Sequence, residues 1–114
     1  MILSMKKMIF EKEEDSKDLI ASPYFAESFE SIPPAYIFVG GIDPLKDEAI
    51  FYHKKLRENK VPSTLSNYIN CPHDWLISLE TNEKIEARHE FIFALRRAFG
   101  ETPKVQYSLI PEFK

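Results

Sequence analysis

The run Ala35-Tyr36-Ile37-Phe38-Val39 constrains this chain more than any other stretch. Its residues are all apolar, mostly aromatic or β-branched, and it offers no polar face to water. That pattern predicts a strand covered on both faces, as in a parallel sheet. Ile32-Pro33-Pro34 leads in as a turn or extended segment, because proline disfavours helix in the residue before it. Gly40-Gly41-Ile42-Asp43-Pro44 ends the strand, and Pro44 suits the first helical position, where no bonded N–H is needed. Leu45, Ala49, Tyr52 and Leu56 then recur at helical spacing, until Asn59 and Pro62 close the helix. Ser63 to Ile69 reads as a second strand, with Leu65, Asn67 and Ile69 on one face. Strand, helix and strand at these spacings predict a right-handed βαβ unit.

A loop follows, Asn70-Cys71-Pro72-His73-Asp74-Trp75. The next strong element is a helix from about Asn82 to Phe99, its apolar stripe set by Ile85, Arg88, Ile92, Leu95 and Phe99. Thr81 or Asn82 can cap its start, Gly100 stands where a C′ residue belongs, and Pro103 blocks continuation. The charged run at 11–18 (EKEEDSKD) reads as a solvated helix face or loop. Residues 101–114 show no period. A strand apolar on both faces needs paired neighbours and a helical layer on each side. Two strands and two long helices do not supply all of that, so the expected fold is α/β, the end of a larger sheet.

Composition narrows the partners. With a net charge of −3 and no sustained basic patch, the chain has no electrostatic footprint for nucleic acid. The apolar residues near the N-terminus are broken by Lys6 and Lys7, too short a run for a secretory core or a membrane span. The lone cysteine, Cys71, excludes an internal disulfide. A cytoplasmic location is the expectation.

Two residues stand where chemistry is done. Asp43 follows the carboxyl end of the first strand and His73 lies in the loop after the second, and in open α/β sheets that edge binds ligands. A carboxylate there can hold the imidazole in one tautomer, and the imidazole can then act as general base toward a hydroxyl. Spacing alone leaves a second reading open for each. Asp before Pro is a common helix N-cap, and a loop histidine is often a surface residue. Cys71 and His73 are too few for a zinc site, so Cys71 reads as a small packing residue and no metal is expected.

A family resemblance bears on that choice. Ala21-Ser22-Pro23-Tyr24-Phe25-Ala26 and Ile32-Pro33-Pro34-Ala35-Tyr36-Ile37 resemble the approach to the penultimate strand of hormone-sensitive-lipase-type α/β-hydrolases. Gly41-Ile42-Asp43-Pro44-Leu45-Lys46-Asp47-Glu48 resembles that family's acid motif. Leu56-Arg57-Glu58-Asn59-Lys60-Val61-Pro62 resembles the end of the following helix. Pro72-His73-Asp74-Trp75-Leu76 resembles the segment around the family's catalytic histidine. The similarity runs from about Leu19 to Phe99.

The resemblance implies a C-terminal fragment of an α/β-hydrolase sheet, its last two parallel strands with flanking helices. The expected division is a charged segment at 1–18, the hydrolase portion at 19–100 and an unassigned tail at 101–114. It implies Asp43 as triad acid and His73 as general base in hydrolysis of carboxylic esters, acylglycerols or smaller acyl esters, with no cofactor. Asp47 and Glu48 would hold the acid loop. His53 and His89 match no motif position and read as helix-surface residues. The G-x-S-x-G elbow and the His-Gly-Gly oxyanion segment do not occur here and lie upstream in such folds, so the chain alone is expected to be inactive. Asp74 stands where the family usually has glycine. If that position needs positive φ the substitution carries a cost, and its charge would favour protonated His73. A self-association through an exposed sheet edge is also expected. The alternative is a non-catalytic hydrolase remnant acting, if at all, as an interaction module.

Overall fold

Ala35–Gly40 forms strand β1 and Ser63–Tyr68 forms strand β2, and the two pair in parallel with Ala35 opposite Ser63 and Gly40 opposite Tyr68. A parallel pair needs a crossover, and helix α1, Lys46–Glu58, supplies it. The structure, a computed structural model, describes residues 10–101. Those residues form two compact units, one ending at His73 and the other beginning at Asp74. The expectations placed on Pro103, on residues 1–9 and on the tail beyond Glu101 lie outside the described residues.

The first unit is built around one fully buried side chain. Leu56 of α1 packs with Phe29 and Val61, and Ala26, Ile32, Ala35, Ile37 and Tyr52 close around them. This is the helical stripe of the sequence meeting alternate residues of β1. Phe29 and Tyr52 approach at 6.4 Å between ring centres. On the other face of β1, Tyr36 and Phe38 stack at 5.1 Å. Only Val39 and Gly40 of β1 are buried, while the first four residues are half-buried. The strand is thus less enclosed than its unbroken apolar run predicts, because among the described residues the sheet has only two strands.

Strand β2 departs from expectation in its facing. Its buried residues are Ser63, Ser66 and Tyr68, and Ile69 lies beyond the strand and is exposed. The chain leaves the sheet at Tyr68, whose carbonyl accepts both the Gly41 and the Cys71 N–H. Two short 3₁₀ turns, Glu13–Lys17 and Pro23–Phe25, precede β1. The first lies within the charged run, and its buried Ser16 carbonyl accepts the Ser22 hydroxyl at 2.7 Å.

In the second unit, a four-residue helix α2, Trp75–Ser78, precedes helix α3, Asn82–Ala98. Helix α2 was not legible in the sequence. Thr81 caps α3 as expected, its hydroxyl accepting the Lys84 N–H at 3.3 Å. At the other end Gly100 has φ 78°, Gly100 N–H reaches Arg97 O and Glu101 N–H reaches Arg96 O. That bond pair is a Schellman ending, which needs the left-handed residue glycine provides. The stripe of α3 is a correction. Ile85, Ile92, Leu95 and Phe99 are exposed, and the buried residues are Lys84 and Ala87. Lys84 is tolerated there because its Nζ pairs with Glu80 at 2.5 Å and donates to Ile77 O at 3.4 Å. A four-residue helix is too short to cover the longer apolar stripe. Among the described residues, no helix is long and apolar enough to cross a membrane.

Candidate active site

The site grows from two loops at the carboxyl ends of adjacent parallel strands. Strand β1 exits through Gly40-Gly41, and the loop after β2 lies directly on those two residues. A Cβ at Gly40 would run into the Cys71 and Pro72 carbonyls, and one at Gly41 into the backbone of Ile69. The doubled glycine is therefore a contact surface, which lets the backbone of one loop close on the other. Two backbone bonds seal the approach: Gly41 N–H to Tyr68 O at 2.8 Å and Ile42 N–H to Cys71 O at 3.2 Å.

This closure brings Asp43 and His73 together. Asp43 Oδ2 lies 2.9 Å from His73 Nδ1. Its other oxygen, Oδ1, accepts the Leu45 N–H at 2.7 Å. One carboxylate oxygen thus faces the imidazole and the other closes a turn ahead of the helix; Asp43 is not the helix N-cap, which is Leu45. The helix starts two residues later than Pro44, at Lys46, since Asp43 and Pro44 are used in the turn.

The electrostatics select one protonation pattern. Partial burial pushes the Asp43 carboxyl upward, but the Leu45 N–H bond, the bond and charge of His73 and the charge of Lys46 together hold it below its ordinary value of 3.8. Asp43 is therefore ionised at neutral pH, and an ionised carboxylate only accepts. The proton of the contact sits on His73 Nδ1, which donates. In the neutral imidazole the basic lone pair then belongs to Nε2. The Asp43 side chain is 15% exposed and that of His73 54%, so a shielded anion orients an accessible ring.

The remaining candidates fall elsewhere. Asp47 and Glu48 sit in the first turn of α1, where negative charge suits the helix dipole. His53, expected on the helix surface, is half-buried, and its Nδ1 lies 2.9 Å from the Ser63 hydroxyl. Ser63 begins β2, so this pair is at the strand end opposite Asp43 and His73. His89 is exposed on α3, as expected. Cys71 is buried, and its backbone takes part in the loop closure. Asp74 adopts φ 58° and ψ 14°, the left-handed conformation that glycine takes most easily. Among the described residues, no group of three or more His, Cys, Asp or Glu could hold a metal ion. Sequence reasoning missed the steric role of Gly40 and Gly41, although two adjacent glycines at a strand exit, in a chain with only three, were the available signal.

A parallel βαβ unit with an acid turn and a histidine loop at one sheet edge is the arrangement of an α/β-hydrolase. Residues 1–77 match the family described as alpha/beta hydrolase fold, and the chain belongs to that family. It is 43% identical over 63 residues to an AB hydrolase superfamily protein of Schizosaccharomyces pombe, covering 54% of this chain and 18% of that protein. It is 38% identical to Esterase LipI of Mycobacterium tuberculosis over 48% of this chain and 17% of that one. Against an Arylesterase of Saccharolobus solfataricus the identity is 34% over 80 residues, 69% of this chain and 26% of the relative. Among solved structures, LAE6 is an alpha/beta hydrolase enzyme from the metagenome of Lake Arreo, Spain, determined as a serine-to-alanine mutant. It superposes with a TM-score of 0.70 at 30% identity, over 78% of this chain and 28% of that one. The chain thus spans between 17% and 28% of the length of these proteins.

Proposed function

We propose that this chain supplies the triad acid and the histidine of a serine carboxylic-ester hydrolase of the hormone-sensitive-lipase type. The observation that carries the reading is the 2.9 Å contact between Asp43 Oδ2 and His73 Nδ1 on neighbouring strand ends. In this role Asp43 fixes the Nδ1–H tautomer and stabilises the imidazolium as it forms. Nε2 takes the proton from a serine hydroxyl as that oxygen attacks the ester carbonyl. The proton then passes to the departing alcohol, leaving an acyl-serine. A water activated by the same Nε2 cleaves the acyl group and regenerates the serine. No serine of the G-x-S-x-G type occurs in the 114 residues, so the nucleophile and oxyanion donors come from hydrolase sequence outside them. Two relatives are named as esterases, which supports carboxylic esters, acylglycerols or smaller acyl esters as the substrate class. The chemistry requires no cofactor, and a cytoplasmic setting accords with the single cysteine.

A chimera tests this reading. Residues 19–100 replace the matching C-terminal segment of a family serine esterase, and turnover of a chromogenic short-chain ester is followed. The chimera should turn over. Asp43→Asn should then lower kcat by about 10⁴-fold, and His73→Ala by about 10⁶-fold, as in other triads. A folded chimera whose turnover ignores both substitutions would sink the assignment. A folded, inert chimera would favour a non-catalytic interaction module.

A further inference from the structure

The acid turn carries a cation that proton relay through Asp43 and His73 does not require. Lys46 is the first residue of α1. A positive charge there opposes the helix dipole, whose N-terminal end favours anions. A lysine with no other role would extend into water. Lys46 is instead half-buried, and its Nζ donates to the Gly41 carbonyl.

The place of that carbonyl is informative. Gly41 C=O and Ile42 N–H belong to one planar peptide group. Its oxygen accepts from Lys46, and its N–H donates to the Cys71 carbonyl at 3.2 Å. A charged donor on the oxygen polarises the peptide and strengthens the bond its N–H makes. One peptide therefore links helix α1 to the loop that carries His73, one residue before Asp43. The Lys46 backbone N–H closes the same turn on Asp43 O at 3.2 Å.

We propose that Lys46 is a positioning residue for the Asp43–His73 pair, acting by holding the Gly41–Ile42 peptide against the histidine loop. The inference rests on the reading of Asp43 and His73 as acid and base. Among the described residues, the charged or titratable groups acting on this turn are Asp43 itself, His73 from the loop after β2, and Lys46 from α1. The ammonium favours the ionised carboxylate as well as the closed turn, in keeping with the lowered Asp43 titration.

The test is isotope-edited NMR on the full 114-residue chain, comparing Lys46→Met, Lys46→Gln and Lys46→Arg with the parent. Lys46→Met should speed exchange of the Ile42 amide and move the Asp43 carboxyl titration upward. Lys46→Arg should restore both, because it keeps the charge and the donors. Lys46→Gln keeps a donor without the charge, so it should retain Ile42 protection and still raise the Asp43 titration. If Lys46→Met loses its spectral dispersion, the Gln and Arg variants decide: Ile42 should stay protected in both, and the Asp43 titration should rise in Lys46→Gln alone. Folded Met and Gln variants with an unchanged Ile42 amide and an unchanged Asp43 titration would overturn the proposal. Asp43→Asn serves as the separating control. If it leaves the His73 titration where it was, the acid–base pairing itself fails; if His73 responds while Asp43 ignores Lys46, only the role of Lys46 falls.

Discussion

Asp43 and His73 lie thirty positions apart in sequence and 2.9 Å apart in space, and the same carboxylate that meets the imidazole also accepts the Leu45 N–H in the turn ahead of α1. The two oxygens of one side chain thus take different partners. Asparagine in its place keeps one acceptor and loses the charge. The Asp43→Asn variant should keep its turn but lower the pH at which His73 becomes protonated, as read by its ring proton shifts. An unchanged His73 titration would show that the contact carries no electrostatic coupling.

The same coupling predicts a pH dependence of stability. Asp43 titrates below its ordinary value of 3.8 in the folded chain, so the unfolded chain binds its proton more readily. The stabilisation is therefore fully present above the ordinary carboxylate range and lost as pH falls through the lower folded value. Urea melts between neutral pH and pH 3 should show Asp43→Asn losing less stability on acidification than the parent. Parallel losses in the two chains would mean that the carboxylate gains nothing from its partners on folding.

The close approach at Gly41 has no room for a methyl group. A Cβ there meets the backbone of Ile69, which cannot rotate away as a side-chain tip can. Gly41→Ala should cost about 1–3 kcal/mol, the usual range for overpacking. It should also separate the two loops, weakening the Ile42 N–H bond to Cys71 O. Thermal melts and Ile42 amide exchange measure the two effects. A variant as stable and as protected as the parent would mean that the loops part without penalty.

Leu56 is the fully buried side chain of the first unit. Leu56→Ala removes its contacts with Phe29 and Val61 and should destabilise that unit by about 2–5 kcal/mol. Exposed Phe51 on the same helix should tolerate alanine far better. Equal losses from the two substitutions would place the core elsewhere.

Asp74 holds a left-handed backbone directly after His73. Asp is among the residues that tolerate this region, while a β-branched side chain is not. Asp74→Val should be less stable than Asp74→Gly by about 1–2 kcal/mol. Indistinguishable melting curves for the two variants would show that this conformation relaxes without strain.

Much of the local structure was determined by the sequence alone. The apolar run after Pro33-Pro34, the Gly-Gly exit, the helical stripe ending at Leu56 and the parallel return strand are encoded by periodicity and by turn residues acting within a few positions. The Thr81 cap and the Gly100 ending are local in the same sense, since both depend on backbone groups within one helical turn. The acid and histidine motifs could be placed on strand ends for that reason. The tertiary structure alone decided what depends on residues remote in sequence. It set which side of β2 is buried, because that follows from what packs on the sheet and not from the alternation of Leu65 and Ile69. It left the Ile85–Phe99 stripe exposed, because an amphipathic pattern states what a helix is able to bury and not what covers it. It drew His53 onto Ser63, and it set one Asp43 oxygen on His73 and the other on the Leu45 N–H. The Gly40–Gly41 contact with the loop after β2 decided the last of these, since a distance between two loops is set by the backbone that lies between them, and a linear pattern holds no record of that separation.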